Sequence, residues 1–375
     1  MRVLFVVDSV FQLMTAVNLR LSVYAHDDAD IIVYNSTANA ERYCQRLAKT
    51  NAFGKCYWAK TPLTYCGKNY SQWKKIPKYI EYLISLAFPE KILNSIFGEF
   101  SNTYDQFLFN GEGALTDCVF NVCKKKNTKC ICYRFEDSYL SYTQLYGSQK
   151  GKIRQYLEKI AEFLFGRKDI GDNIRGYYFA APDMVQYKFP YNILQAPKFS
   201  RNNPKLLEVL NTTFEYTPTI DDYHEKYIFF ECGDAFFFNN HEDLEYVKLL
   251  AQIVGGNNVL IKRHPRIKEN RYEGLGVHVA HSTSVPWELI QMNTPLKNKV
   301  FITTKSAAAL TSEIYFGDQC DAMLLYKGIK GEQGEIGEKF ENYMKCFKEK
   351  STNRFWLPSS LEEFAVIIRE IEKEK

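Results

Sequence analysis

Residues 2–21 read RVLFVVDSVFQLMTAVNLRL, and this stretch decides the fold class. The apolar run Arg2 to Val7 predicts a strand. Asp8-Ser9 then offers a helix N-cap, and Phe11, Met14, Val17 and Leu21 fall at helical spacing, so the unit is β-turn-α. The pattern recurs along the chain. DIIVY (30–34), QFLF (106–109) and KCICYRF (129–135) are further strands with helical stretches between them. Strands alternating with helices predict a parallel, Rossmann-like sheet.

A second series starts after residues 190–218, whose Asn, Pro, Lys and Thr content predicts a linker. KYIFFECG (226–233) is a strand, residues 242–254 form a helix stopped by Gly255-Gly256, and NVLIKR (258–263), KVFITT (299–304) and AMLLY (322–326) supply three more strands. The fold class is therefore α/β with two Rossmann-like domains, 1–205 and 206–350. Residues 351–375 form a charged amphipathic helix, expected to pack back on the first domain. Two such domains imply a ligand cleft at their strand ends.

The bulk properties narrow the function. At 375 residues the chain is long enough for two cores. No stretch approaches the roughly 20 apolar residues of a membrane span, and the N-terminus lacks a signal peptide's architecture, so a cytoplasmic location is expected, with peripheral contact on the membrane's inner face left open. Ten cysteines in a chain of this size, without paired Cys-x-x-Cys units, predict reduced thiols rather than a disulfide scaffold or structural zinc. A net charge of +4 is too small for a dedicated nucleic-acid binder. Ile153, Tyr156, Leu157, Ile160, Phe163 and Leu164 lie at helical spacing in residues 151–166, a stripe that suits packing on its own domain or docking on a membrane.

Candidate chemistry sits at strand ends. In VLIKRHPR (259–266), Pro265 restricts His264 to extended backbone, and Lys262, Arg263 and Arg266 surround it with cations. Such neighbours lower a histidine pKa, and a bound phosphate reverses the sign, so the cluster reads as a phosphate site. Thr304 ends its strand and Ser306 opens an alanine-rich helix whose N-terminus suits an anion. Glu288, just after Pro286, fits either dipole capping or a ribose diol. Glu136-Asp137 closes a strand of the first domain, where adjacent carboxylates can be tuned toward general-base work.

With His264-Pro265, Glu288 and Ser306 at offsets of 24 (288 − 264) and 42 (306 − 264), and an acidic pair upstream, the chain resembles the bacterial GT-B sialyltransferases. Its opening DSVFQLMTAVNL is similar to that of glycosyltransferase family 52, the lipooligosaccharide sialyltransferases, and of related bacterial polysialyltransferases. The resemblance implies GT-B architecture, an acceptor-binding first domain and a donor-binding second one. It implies inverting transfer from CMP-sialic acid to a galactoside-type acceptor on lipooligosaccharide or capsule. Asp137 or Glu136 would be the base, with Asp137 preferred; His264 would bind and protonate the phosphate, aided by Lys262, Pro265 and Thr304, Glu288 would hold the ribose and Ser306 the phosphate. Ser138 stands where the family's motif has glycine, which leaves the choice between the two acids open, and Asp234 and Asp243 are rival bases.

No cofactor or metal is expected. DAD (28–30) matches a metal-binding pattern but precedes its strand, on the wrong sheet edge. No nucleic-acid partner is expected, and homodimerisation is left open. The alternatives are a GT-B transferase with another donor, Kdo or a UDP-hexose, and a non-catalytic glycan-binding or capsule-assembly protein. TPLTYCGKNYSQWKKIPKY (61–79) is the candidate acceptor loop.

Overall fold

The computed structural model describes residues 1–34, 39–59, 72–100, 102–111, 113–137, 139–143, 152–186, 188–217, 223–233, 242–265, 267, 269–281, 284–294, 296–329 and 338–374, with backbone alone at 72–79, 140 and 154. The chain divides into two compact units, residues 1–197 with 204–213, and residues 198–203 with 214–375.

The first unit is built on seven parallel strands: β1 (Arg2–Val7), β2 (Asp28–Tyr34), β3 (Cys56–Ala59), β4 (Gln106–Phe109), β5 (Ile131–Phe135), β6 (Ile174–Phe179) and β7 (Asn192–Gln195). Their order is β3-β2-β1-β4-β5-β6-β7. The chain winds outward from β1 through β2 to β3, then returns to the other side of β1 and winds the opposite way. The point of reversal lies between β1 and β4, which pair in register from Val3–Gln106 to Val6–Phe109. Because β1 is central, Val3 to Val7 are all buried, as its unbroken apolar run requires.

The second unit repeats the scheme with six parallel strands: β8 (Tyr227–Phe230), β9 (Val259–Lys262), β10 (His278–Val279), β11 (Val300–Thr303), β12 (Asp321–Leu324) and β13 (Phe355–Trp356). The order β10-β9-β8-β11-β12-β13 puts its reversal between β8 and β11. Gly255, at φ 80°, ends the helix Glu242–Val254 where the glycine pair predicts a stop.

Two expectations about organisation are corrected. The helix Leu361–Lys373 joins the second unit, not the first, because Phe364, Ile368 and Ile371 enter that unit's core beside Tyr246 and Leu250 of the helix Glu242–Val254. Residues 190–218 are not simply a linker: they contain the edge strand β7 and the helix Pro204–Phe214, whose Leu206, Val209 and Leu210 are buried. Proline and asparagine there mark an edge and a helix start, which composition alone cannot tell from a linker.

None of the described cysteines is in a disulfide. Among the described residues, no helix is long and apolar enough to cross a membrane. Truncating fully buried Ile368 to alanine is expected to cost about 2–5 kcal/mol, read as a lower urea midpoint for the second unit. An unchanged midpoint would contradict the C-terminal helix's place in that core.

Candidate functional site

In the first unit the relevant side chains converge at the carboxyl ends of β1, β4 and β5. Ser9 is the N-cap of the helix Val10–Leu21, its Oγ accepting the Gln12 N–H at 3.1 Å. The same hydroxyl donates to Asp137 Oδ1 at 2.6 Å. Gln12, third residue of the helix, reaches back to accept the Asp8 N–H at 3.0 Å, a variant of the capping box. Since Ser9 does the capping, the Asp8 carboxylate is released for the sheet edge. It lies against the Gly111 α-carbon so closely that a methyl there would come within 2.1 Å of Oδ2.

Asp8 and Asp137 therefore share one pocket of like charge. Burial and the Asp137 charge push the Asp8 carboxyl up to about 6, opposed by the Gln12 amide. Burial also raises Asp137, against hydrogen bonds from Ser9 and Gln12. Glu136 behaves differently. Its side chain turns inward, bonded by the Tyr142 hydroxyl and, at 3.0 Å, by the Ala180 N–H. Consecutive residues at a strand end point to opposite sides, so of the two acids only Asp137 faces the pair with Asp8.

The second unit uses a buried carboxylate to hold its own strand ends together. Glu231, following β8, accepts the His264 N–H at 3.0 Å and the Arg271 guanidinium at 3.2 Å. Burial raises its pKa, with His264 N–H and Arg271 opposing. The His264 ring lies across Gly233, where a methyl would come within 2.3 Å of Cε1. Glycine after β8 is thus what lets the imidazole occupy this edge.

Lys262 and Glu288 are brought together: burial pushes the Glu288 carboxyl up to about 7, with its own backbone N–H and the Lys262 charge opposing. That carboxyl is enclosed although the residue as a whole keeps intermediate exposure. Trp287, packed edge-on against Phe230 and Phe301, fixes the helix that presents it. Ser306 accepts the Ala308 N–H at 3.3 Å and donates its own N–H to Thr303 Oγ1 at 3.2 Å. Thr304 is fully buried, with no hydrogen-bond partner for its hydroxyl among the described residues.

Several expected roles change. Asp243 is buried and clamped by Arg271 at 2.9 Å, which suits a structural carboxylate rather than a base. Of the cations around His264, Arg263 donates to the Ile267 and Glu269 carbonyls, and Lys262 neighbours Glu288. The helix after Ser306 runs as one α-turn, Ala308–Thr311, continued without a break by a π-turn at Ser312–Phe316. Pro265 is exposed. Asp234, Arg266, Ser138 and most of the candidate acceptor loop lie outside the described residues. DAD opens β2 at the amino edge, and Asp30 is bonded by Tyr104 and Arg2.

Gln12, Gly111, Glu231 and Gly233 carry no role in the sequence pattern, and Asp8 figures there only as a possible helix cap. The Ser9-to-Gln12 capping spacing and glycines just past strand ends were the available signals.

No family model and no curated protein matches the sequence. Solved structures do. The glycotransferase of kitacinnamycin superposes with a TM-score of 0.57 at 12% identity, covering 99% of this chain and 90% of that one. CalG4, the calicheamicin glycosyltransferase, gives 0.52 at 11%, covering 100% and 89%. An α/β-galactoside α-2,3-sialyltransferase from the bacterium Photobacterium phosphoreum gives 0.52 at 13%, covering 94% and 98%. The fold is GT-B.

The Asp8 shift has a pH signature. With its folded value near 6 and the usual value near 4, the folded protein holds a proton that the unfolded chain releases over that window. The charge therefore destabilises above about pH 6 and costs nothing below about pH 4. Asp8→Asn is expected to raise stability by on the order of 2–3 kcal/mol at pH 8, with the gain fading toward pH 4 in paired melting curves. Equal stability of the two proteins at pH 8 would contradict the like-charge pair.

Proposed function

We propose that the chain is an inverting glycosyltransferase that moves sialic acid from CMP-sialic acid to a galactoside-type acceptor on a bacterial surface glycan, lipooligosaccharide or capsule. The observation that carries the reading is the half-buried Asp8–Asp137 pair at the reversal point of the first sheet, where α/β folds bind ligands. Two carboxylates held near each other away from cations have raised proton affinity, as a general base requires.

Asp137 takes the proton of the acceptor hydroxyl. That oxygen attacks the anomeric carbon, the bond from this carbon to the phosphate oxygen breaks, and CMP leaves as a phosphate monoester. Asp8 keeps the proton affinity of the pair high, while Ser9 and Gln12 fix Asp137 in place. In the second unit, His264 donates to the departing phosphate and Ser306 assists, with Thr304 and Pro265 shaping the strand ends. Glu288 takes the ribose hydroxyls, and Lys262 keeps part of its charge available. The reaction needs no metal in this scheme. The α-2,3-sialyltransferase among the structural neighbours accords with the choice of donor. The neighbour from Arabidopsis thaliana complexed with UDP, at a TM-score of 0.52 and 10% identity, favours a second reading, a UDP-hexose donor.

Nucleotide-dependent melting separates them. CMP at about 100 times its dissociation constant should stabilise by about 2.7 kcal/mol, a shift of a few degrees, with no response to UDP. His264→Ala should abolish the CMP shift and slow transfer about 100-fold to 1000-fold. A UDP response in place of CMP moves the reading to the second donor, and no response to either nucleotide contradicts nucleotide-sugar transfer.

A further inference from the structure

The helix Lys152–Phe165 in the first unit leaves much of its apolar stripe uncovered. Ile153, Tyr156, Phe163 and Leu164 of the stripe are exposed, Phe163 to 89% and Leu164 to 60%, while Leu157 and Ile160 are half-buried, Leu157 packing against a core cluster of Tyr82, Leu86, Ala114 and Ala161. The opposite side is anchored. Glu158 is buried, accepts the Tyr82 hydroxyl at 2.9 Å and lies 3.7 Å from Arg167, whose other partners include buried Asp117 at 3.5 Å. Rotating the helix to hide its apolar stripe would strand these buried charges, so the exposure is built into the fold. An exposed apolar patch of this kind marks an interaction surface.

At the end of this helix lies a cavity of about 950 Å³. Phe88 and Phe165, with ring centroids 6.5 Å apart, form part of its wall, and Lys91, Lys124, Lys125 and Lys168 line it too. Of the acids nearby, Glu90 lies 3.5 Å from Lys125, and Glu162, 3.5 Å from Arg167, shares that guanidinium with Asp117, Glu158 and Asp169. Lys152 and Lys159 add exposed cations on the helix itself.

We propose that this face docks on an anionic lipid bilayer, the aromatic and aliphatic side chains entering the acyl boundary while the lysines meet lipid phosphates. Apolar stripe and cationic rim together are the composition that binds such interfaces. A second copy of the chain fits poorly, because a two-fold contact brings the same patch against itself and sets lysines against lysines. The inference stands apart from the reaction proposed above.

The test is co-sedimentation of the full chain with phosphatidylcholine vesicles, with and without phosphatidylglycerol. Wild type should pellet with the phosphatidylglycerol vesicles and remain largely in solution with phosphatidylcholine alone. The exposed double variant Phe163→Ser/Leu164→Ser should keep its melting temperature and bind at least about tenfold more weakly. Lys125→Ala and Lys168→Ala should each weaken binding about fivefold, and added salt should do the same. Equal binding to both vesicle types, binding to neither, or unaltered binding by the double variant overturns the proposal. So does a wild-type dimer that the double variant dissociates without any vesicle binding.

Discussion

The first unit holds two carboxylates, Asp8 and Asp137, together at a half-buried sheet edge. This repulsion explains features that otherwise look unrelated. Ser9 must cap its helix while also donating to Asp137, Gln12 must be drawn in beside both acids, and Gly111 must lack a side chain to give Asp8 room. The interior of β1 and β4, buried almost completely, supplies the rigidity and apolar burial that offset the cost. A strained pair retained at a strand end is the kind of local conflict that functional sites keep.

The second unit treats acids at its own strand ends in the opposite way. Glu231 and Asp243 are also buried, but Arg271 lies between them and compensates both. The ion pair's work is positional: Glu231 fixes the His264 backbone, and Gly233 leaves room for the ring. Glu288, beside Lys262 and pushed up to about 7, stands between the two cases, with a nearby cation that only partly compensates its burial. The contrast separates acids that hold the fold together from acids left available for chemistry.

Most of the central strands were legible in the sequence because a buried parallel strand is a short, unbroken apolar run, as in Val3 to Val7 or Val300 to Thr303. His264 was legible for a related reason, since proline after a strand advertises its end. The edge strands were not. β7 is mostly exposed and lacks a periodic signature, and β10 and β13 have only two residues each. Asp8 stands in the sequence only as a possible cap alongside Ser9, because spacing cannot show which of two adjacent capping residues takes the role. The stripe from Ile153 to Leu164 is plain in the sequence, yet which part of it is exposed depends on where Arg167 places Glu158, a tertiary fact that helical periodicity cannot contain.

The pH dependence of kcat/KM for transfer from CMP-sialic acid to a galactoside tests the central claim most directly, measured on wild type, Asp8→Asn and Asp137→Asn. The account expects a wild-type rate that falls toward acid pH, with an apparent value raised above the usual carboxylate range that belongs to the pair rather than to either acid. Asp8→Asn should remain active with that limb moved to lower pH, and Asp137→Asn should lose at least about 100-fold. An Asp137→Asn protein within tenfold of wild type, or an acid limb that Asp8→Asn leaves in place, would contradict it.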